Sequence, residues 1–294
     1  MNQDQPSRAA SWLSIEQCVS LACLLEAAAP KCGNVHRGAD FADMRFEHFL
    51  AATAAATPTI GTAAQRRLGQ TILQAVRQTQ LVCDCNVNLG VILLLAPLAV
   101  VPPTTSLRLG VERVLHQLRP EDAADVYEAI RLANPGGLGH VEQMDVHGEP
   151  PNNLLHAMRA AEEYDMVARQ WARAYDDVLN VIVPWLKSAI GDLQLSLTDA
   201  IVYVQVQTMR DFPDSLIARK GGRELALEVA ARAGGVLAAG SPTSAEYRQR
   251  LADLDFYLRS DGNRRNPGTT ADLIAAALFV ALRDGHIPLP LKFK

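Results

Sequence analysis

The chain has 294 residues, 49% of them hydrophobic, with 28 basic and 32 acidic side chains and a formal charge of −4. That length and apolar content supply an ample core and exclude a disordered chain. The mild negative charge excludes a global pull toward nucleic acid or anionic lipid, so any basic site must be local.

Residues 1–10 are polar, and no basic segment followed by an apolar run opens the chain, which predicts a cytoplasmic protein with residues 1–12 flexible. Ser14 and Gln17 have capping-box spacing for a first helix reaching about Ala29, where Pro30 and Gly33 stop it. Cys18 and Cys23 lie in this apolar stretch and read as core; five cysteines, an odd number, fit a reduced compartment rather than a disulfide framework. Apolar positions at three- and four-residue steps predict helices over 45–57 and 62–83. The run 89–101 is the most apolar, yet it falls well short of the roughly 20 residues needed to cross a bilayer, so the helix predicted over 87–99 belongs in the core and no membrane is involved.

An amphipathic helix is predicted over 105–118, and Pro120 opens another that reaches Leu132. Residues 134–153 carry four glycines and three prolines, which reads as a lid, hinge or site loop, or else as a plain surface connection. Helices over 154–186, 193–209, 223–239, 245–259 and 270–284 bring the total to ten or more. With no repeat, linker or alternating strand pattern, the expectation is a single compact all-α domain over 1–294.

Polar chemistry gathers at breaks between these helices. The first break, 30–44, holds Lys31, Asn34, His36, Arg37, Asp40 and Asp43 with two glycines. Glycine lets backbone approach a ligand closely, and Lys31, Arg37 and exposed N–H groups suit phosphate oxygens. Asp40 and Asp43, three apart, would share one side of a helical turn and a Mg²⁺ ion or hydroxyl; alternatively they cap the next helix. Glu26, one turn earlier, either faces this loop or is an ordinary exposed helix residue. The second break places Asn86 and Asn88 before the most apolar helix, as ligands for a ribose or base or as an N-cap.

Arg264 and Arg265 form a third, basic break that runs into a helix start, where Thr269 and Asp272 have capping-box spacing. Arg219 and Lys220 before Gly221-Gly222 form a fourth, and Asn134-Pro135-Gly136-Gly137-Leu138-Gly139 a fifth; neither has P-loop or dinucleotide-fold spacing. Cys32, His36, Cys83 and Cys85 offer a zinc alternative, although their spacings are not the usual ones.

In order, these segments resemble the triphosphoribosyl-dephospho-CoA synthase family over most of the chain. Glu26, Pro30-Lys31-Cys32-Gly33-Asn34-Val35 and Gly38-Ala39-Asp40-Phe41-Ala42-Asp43-Met44 resemble its Glu…Pro-Lys-Pro-Gly-Leu-Val-Asp…Gly-Ala-His-x-Asp-Met block. Asn86-Val87-Asn88-Leu89-Gly90 resembles Asn-Thr-His-Lys-Gly. Residues 215–222 sit where Asp-Thr-Asn…Arg-Gly-Gly is expected, and Asn266-Pro267-Gly268-Thr269-Thr270-Ala271-Asp272-Leu273 resembles Ser-Pro-Gly-Gly-Ser-Ala-Asp-Leu. The resemblance implies an all-α enzyme that uses ATP as substrate and moves its triphosphoribosyl unit to the ribose 2′-hydroxyl of dephospho-CoA, releasing adenine. It further implies Glu26, Asp40 and Asp43 as catalytic acids, with Asp40 and Asp43 also near Mg²⁺. Lys31 and Arg219 fall on phosphate and Asn86 on ribose, with Asp272 a further acid; Asn34, His36, Arg37, Asn88, Lys220, Arg264 and Arg265 line the nucleotide site.

The chain departs from the pattern where Asn88-Leu89 replaces His-Lys, Cys32 replaces Pro, and His36 and Asp40 replace Asp and His. These changes leave room for an enzyme of one-carbon cofactor assembly, of the methanopterin or methylofuran kind, or for a non-catalytic nucleotide-binding protein. A homodimer is the expected assembly.

Overall fold

The computed structural model describes residues 13–136 and 145–293; the segment 1–12, expected to be flexible, lies outside them. Over the described residues the chain is all-α, with fourteen α-helices and one short extended segment, Ser260–Asn263. They are α1 Ile15–Ala28, α2 Phe46–Gly61, α3 Leu68–Gln80, α4 Leu89–Val100, α5 Leu107–His116, α6 Pro120–Ala133 and α7 Leu154–Ala161. Then follow α8 Met166–Ala172, α9 Val183–Gly191, α10 Leu197–Asp211, α11 Ser215–Gly221, α12 Arg223–Ala238, α13 Ala245–Arg259 and α14 Gly268–Arg283.

The hub is α14, buried at every position from Leu273 to Arg283. A helix apolar on all sides must be enclosed, and α1, α4, α9 and α10 pack around it. A second apolar cluster joins Val206 and Met209 of α10 to Ile217 of α11, Val229 and Val236 of α12, and Leu258 of α13. Tyr203 of α10 packs against both clusters. At about 1.5–3 kcal/mol for each large apolar side chain taken out of water, these two clusters dominate the favourable side of folding.

The Ser14 capping box forms as its spacing predicts, with Gln17 N–H donating to Ser14 Oγ and Ser14 N–H to Gln17 Oε1. Two predicted long helices are broken. Residues 62–83 contain a 3₁₀ turn, Ala63–Gln65, before α3, and the restart is pinned by Asp122 of α6, which accepts from Gly69 N–H at 2.9 Å and Arg67 at 3.2 Å. Residues 154–186 divide into α7, α8 and a π-helical turn, Val178–Ile182, that leads into α9. Asp165 caps α8 by accepting from Val167 and Ala168 N–H groups, and Tyr175, with φ +64°, turns the backbone after it.

Pro97 inside α4 explains one reason for that path. Leu93 has its carbonyl four residues before a proline, which has no N–H to offer. Trp171 Nε1–H donates to this carbonyl instead at 3.1 Å, and the buried Tyr175 hydroxyl donates to Leu94 O at 2.9 Å. The bent 166–182 segment is therefore fitted to a defect in the central helix.

Candidate functional site

The 30–44 break is a docked segment rather than a solvated loop. Gly33 takes φ +72°, and a Cβ there would fall 2.8 Å from Leu258 Cβ, so the turn needs glycine on both counts. Its N–H donates to Asp255 Oδ1 of α13 at 2.8 Å. Gln205 of α10, fully buried, accepts from Cys32 N–H and donates to Cys32 O and Asn34 Oδ1. Asn34 donates to Asn266 Oδ1 at 2.8 Å. Helices α10 and α13 thus fix this segment beside the start of α14. Gln205 escaped sequence reading because a single amide on a helix carries no distinguishing signal.

Lys31 is wholly buried and its Nζ lies 2.8 Å from Glu26 Oε1 while also donating to Glu26 O. It does not line the cavity described below, so it serves as the partner of Glu26 instead of meeting phosphate as expected. A buried charge persists only when paired, and Lys31 gives Glu26 that pairing.

The following residues form two tandem turns, closed by backbone bonds between His36 and Ala39 and between Phe41 and Met44. Asp40 accepts from Phe46 N–H at 2.8 Å and caps α2. Asp43 lies in the second turn, where its Oδ2 accepts from Asn263 Nδ2 at 2.6 Å. The helical turn expected to put Asp40 and Asp43 side by side on one Mg²⁺ does not form, because Asp40 lies at the junction of these two reversing turns and Asp43 inside the second. His36 and Arg37 belong to the first turn and do not border the cavity; partial burial, aided by Arg259, holds the His36 imidazole below its ordinary pKa.

A cavity of ≈ 710 Å³ opens where four sequence segments meet: Glu26, Asn34 and Asp43 from the first, Asn86 and Gly90 from the second, Arg219 and Lys220 from the third, and Asn266 and Asp272 from the fourth. Asn86 accepts from Leu89 N–H at 3.2 Å, so it caps α4 and borders the cavity at once. Asn88 instead donates to Thr79 Oγ1 and borders a smaller, neighbouring cavity of ≈ 430 Å³. Arg219 pairs with Asp165, which also borders the large cavity. Lys220 donates to Asn263 O and Oδ1 at 3.1 and 3.2 Å, and burial lowers its pKa while the nearby Asp43 opposes that shift.

The start of α14 differs from its expected capping box. No side chain of its own helix caps it; Asp214, at the N-cap of α11, reaches across and accepts from Thr270 N–H and Oγ1 at 2.7 and 2.8 Å. The same carboxylate accepts from Leu216 and Ile217 N–H groups. Asp272 is thereby spared from capping and faces the cavity. Removal from water, the Glu26 carboxylate and Asp214 raise its pKa well above the ordinary value, with Arg219 opposing. Gly90 makes room for it, since a Cβ there would sit 2.0 Å from Asp272 Oδ2.

Arg264 and Arg265, expected on phosphate, do not border the cavity. Arg265 stacks on Tyr257 at 4.3 Å and donates to Tyr257 O at 3.0 Å, while the exposed Arg264 lies 3.5 Å from Asp261. Both stiffen the 260–265 loop. The proposed Cys32, His36, Cys83 and Cys85 zinc set is not assembled: Cys32 contacts Leu251 O and Cys83 contacts His48 O. Both described ends of the 134–153 region, at Asn134 to Gly136 and at Asp145 and Val146, border the cavity; residues 137–144, which include much of the fifth candidate, lie outside the described part.

The same cavity is lined by the apolar Leu93, Ile130, Leu154 and Met158 and by the aromatic Tyr127 and Tyr164. Tyr164 and Asp165 were concealed because the periodicity ran an unbroken helix through them. The arrangement offers basic groups, several carboxyl groups and apolar surface for a ring or an aliphatic arm.

Comparison with known proteins identifies the family and the fold. The profile of a family described as ATP:dephospho-CoA triphosphoribosyl transferase matches residues 12–289. A crystal structure provisionally assigned as a triphosphoribosyl-dephospho-CoA synthase from Archaeoglobus fulgidus is similar in fold, with a TM-score of 0.61 and 26% identity. The similarity covers 80% of this chain and 99% of that one. No curated protein sequence matches this chain.

Proposed function

We infer the reaction from a settled premise: the chain belongs to the ATP:dephospho-CoA triphosphoribosyl transferase family. We propose that it transfers the 5-triphosphoribosyl unit of ATP to the ribose 2′-hydroxyl of dephospho-CoA and releases adenine. The observation that carries this reading is the convergence of four separated segments on one cavity that holds both phosphate-binding cations and carboxyl groups.

In this reading Arg219 and Lys220 receive the triphosphate, Arg219 with the geometry to take two oxygens at once. The bond from the acceptor 2′-oxygen to C1′ forms as the bond from C1′ to adenine breaks. Asp43 or Glu26 takes the 2′-hydroxyl proton, and either carboxylate stabilises positive charge developing at C1′. Asp272, whose burial beside Glu26 favours the protonated form, hands a proton to the departing adenine. Asn86 and Asn34 orient ribose hydroxyls.

Glu26 and Asp43 bring carboxyl oxygens to the cavity, and such donors suit a hard cation. Asp43 is the residue that would hold Mg²⁺. When bound, the ion neutralises charge on the triphosphate. A cytoplasmic location and a homodimer accompany this reading as proposals. The one-carbon cofactor and non-catalytic alternatives draw no support from the family match.

Incubation with ATP, dephospho-CoA and Mg²⁺, followed by chromatography of the bases, tests the proposal. Adenine released in step with acceptor consumed is the expected result. Adenine no higher than with heat-inactivated protein overturns it.

A further inference from the structure

The turn between α3 and α4 carries Cys83, Asp84 and Cys85, and folding sets it against the first turn of α2, which carries His48. A ring nitrogen of His48, a carboxylate oxygen of Asp84 and the Cys85 sulfur all lie within 4.8 Å of one another. Among the described residues this is the grouping of three or more metal-capable side chains that the fold assembles. It lies beside the substrate cavity, since Cys85 borders that cavity while Asp84 is almost fully exposed.

The separations fit a coordination sphere. Cys85 Sγ lies 3.5 Å from His48 Nδ1, and two ligands of a tetrahedral zinc ion, bonded at about 2.0 Å through nitrogen and about 2.3 Å through sulfur, stand about 3.5 Å apart. His48 Nδ1 also accepts from Arg45 N–H at 3.2 Å, so this nitrogen carries a lone pair rather than a proton. Asp84 Oδ1 stands 3.9 Å from the other ring nitrogen, Nε2, and the three residues each offer one ligand atom within 4.8 Å of the others. The Cys83 thiol contacts His48 O at 3.3 Å, which ties the two segments together without spending either ring nitrogen.

We propose that His48, Asp84 and Cys85 form a binding site for a thiophilic divalent cation of the zinc class, with a fourth position open to solvent. Sulfur and imidazole donors select such ions over Mg²⁺, so this site is chemically distinct from the Glu26 and Asp43 carboxyl groups of the cavity. The ion replaces the Cys85 thiol proton and the Arg45 N–H contact as it binds, and it fixes the turn that leads to Asn86.

The test uses the reduced, chelator-treated full-length protein titrated with Co²⁺ as a spectroscopic stand-in for zinc. One equivalent is expected to give a sulfur-to-cobalt charge-transfer band together with tetrahedral ligand-field bands, and added Zn²⁺ abolishes both. The charge-transfer band is expected to vanish in Cys85→Ser, and cobalt affinity to fall at least about tenfold in His48→Ala and in Asp84→Ala, because each removes one ligand. Cys23→Ser, which leaves the three ligands in place, is expected to retain the band. Asp84 is on the surface, so its variant reads the site without a folding penalty, and circular dichroism checks the others. A titration without a thiolate band, or a band that survives Cys85→Ser, overturns the proposal.

Discussion

Asp272 illustrates how a carboxyl group acquires a role from its surroundings. Its pKa stands well above the ordinary value because burial and the negative charges of Glu26 and Asp214 disfavour ionisation. A raised carboxyl pKa means the folded state prefers the proton. The associated stability is full below the unfolded pKa and is lost as pH rises through the folded one. Asp272→Asn, which keeps the shape without the ionisation, is therefore expected to raise the melting temperature increasingly with pH through that window, while lowering adenine release at least about tenfold. Unchanged pH dependence of melting contradicts this. Gly90→Ala makes the complementary test. Its Cβ would overlap Asp272 Oδ2 at 2.0 Å, so activity is expected to fall about tenfold or more while circular dichroism stays unchanged, because the helix itself favours alanine. Arg219→Lys keeps a charge and loses the two-pronged contact; a several-fold higher KM for ATP with a smaller change in kcat is the expected signature.

At the scale of elements, most helices and most helix limits were legible because a buried stripe imposes its 3.6-residue period on the sequence, but α11 was not, since the short 215–222 stretch with its two glycines read as a junction. The breaks inside 62–83 and 154–186 were not, because a kinked path that buries the same stripe leaves the same pattern. Pro97 was visible in the sequence, whereas its partner Trp171, 78 residues from the carbonyl it serves, was not. Trp171→Phe is expected to destabilise the protein by about 1–3 kcal/mol in chemical denaturation, leaving the Leu93 carbonyl with only the distant Tyr175 hydroxyl. In a Pro97→Ala background, where residue 97 regains an N–H, that cost is expected to shrink; equal costs in both backgrounds argue against the compensation. The cap of α14 follows the same logic. Thr269 and Asp272 had the spacing, but Asp214 from α11 took the N-terminal donors, and Asp214→Ala is expected to cost about 2–4 kcal/mol by stranding several of them in the interior.

For the whole molecule, the four segments that border the cavity are separated by dozens to hundreds of residues, and only the packing of α1, α4, α11 and the start of α14 brings them together. No helix among the described residues is long and apolar enough to cross a membrane, as the short run at 89–101 predicted. The sequence by itself determined the helical class, the positions of the polar breaks and the family, because periodicity, glycine and ordered motifs are local and survive without a partner. Tertiary structure decided which polar residues meet. It buried Lys31 against Glu26, set Asp40 to capping and Asp43 to the cavity, withdrew Arg264 and Arg265 into a loop, and freed Asp272 by supplying Asp214 in its place. Charge and hydrogen-bonding capacity belong to a residue; their use depends on which donors and carboxylates lie within a few ångströms, and that is a property of the packed chain.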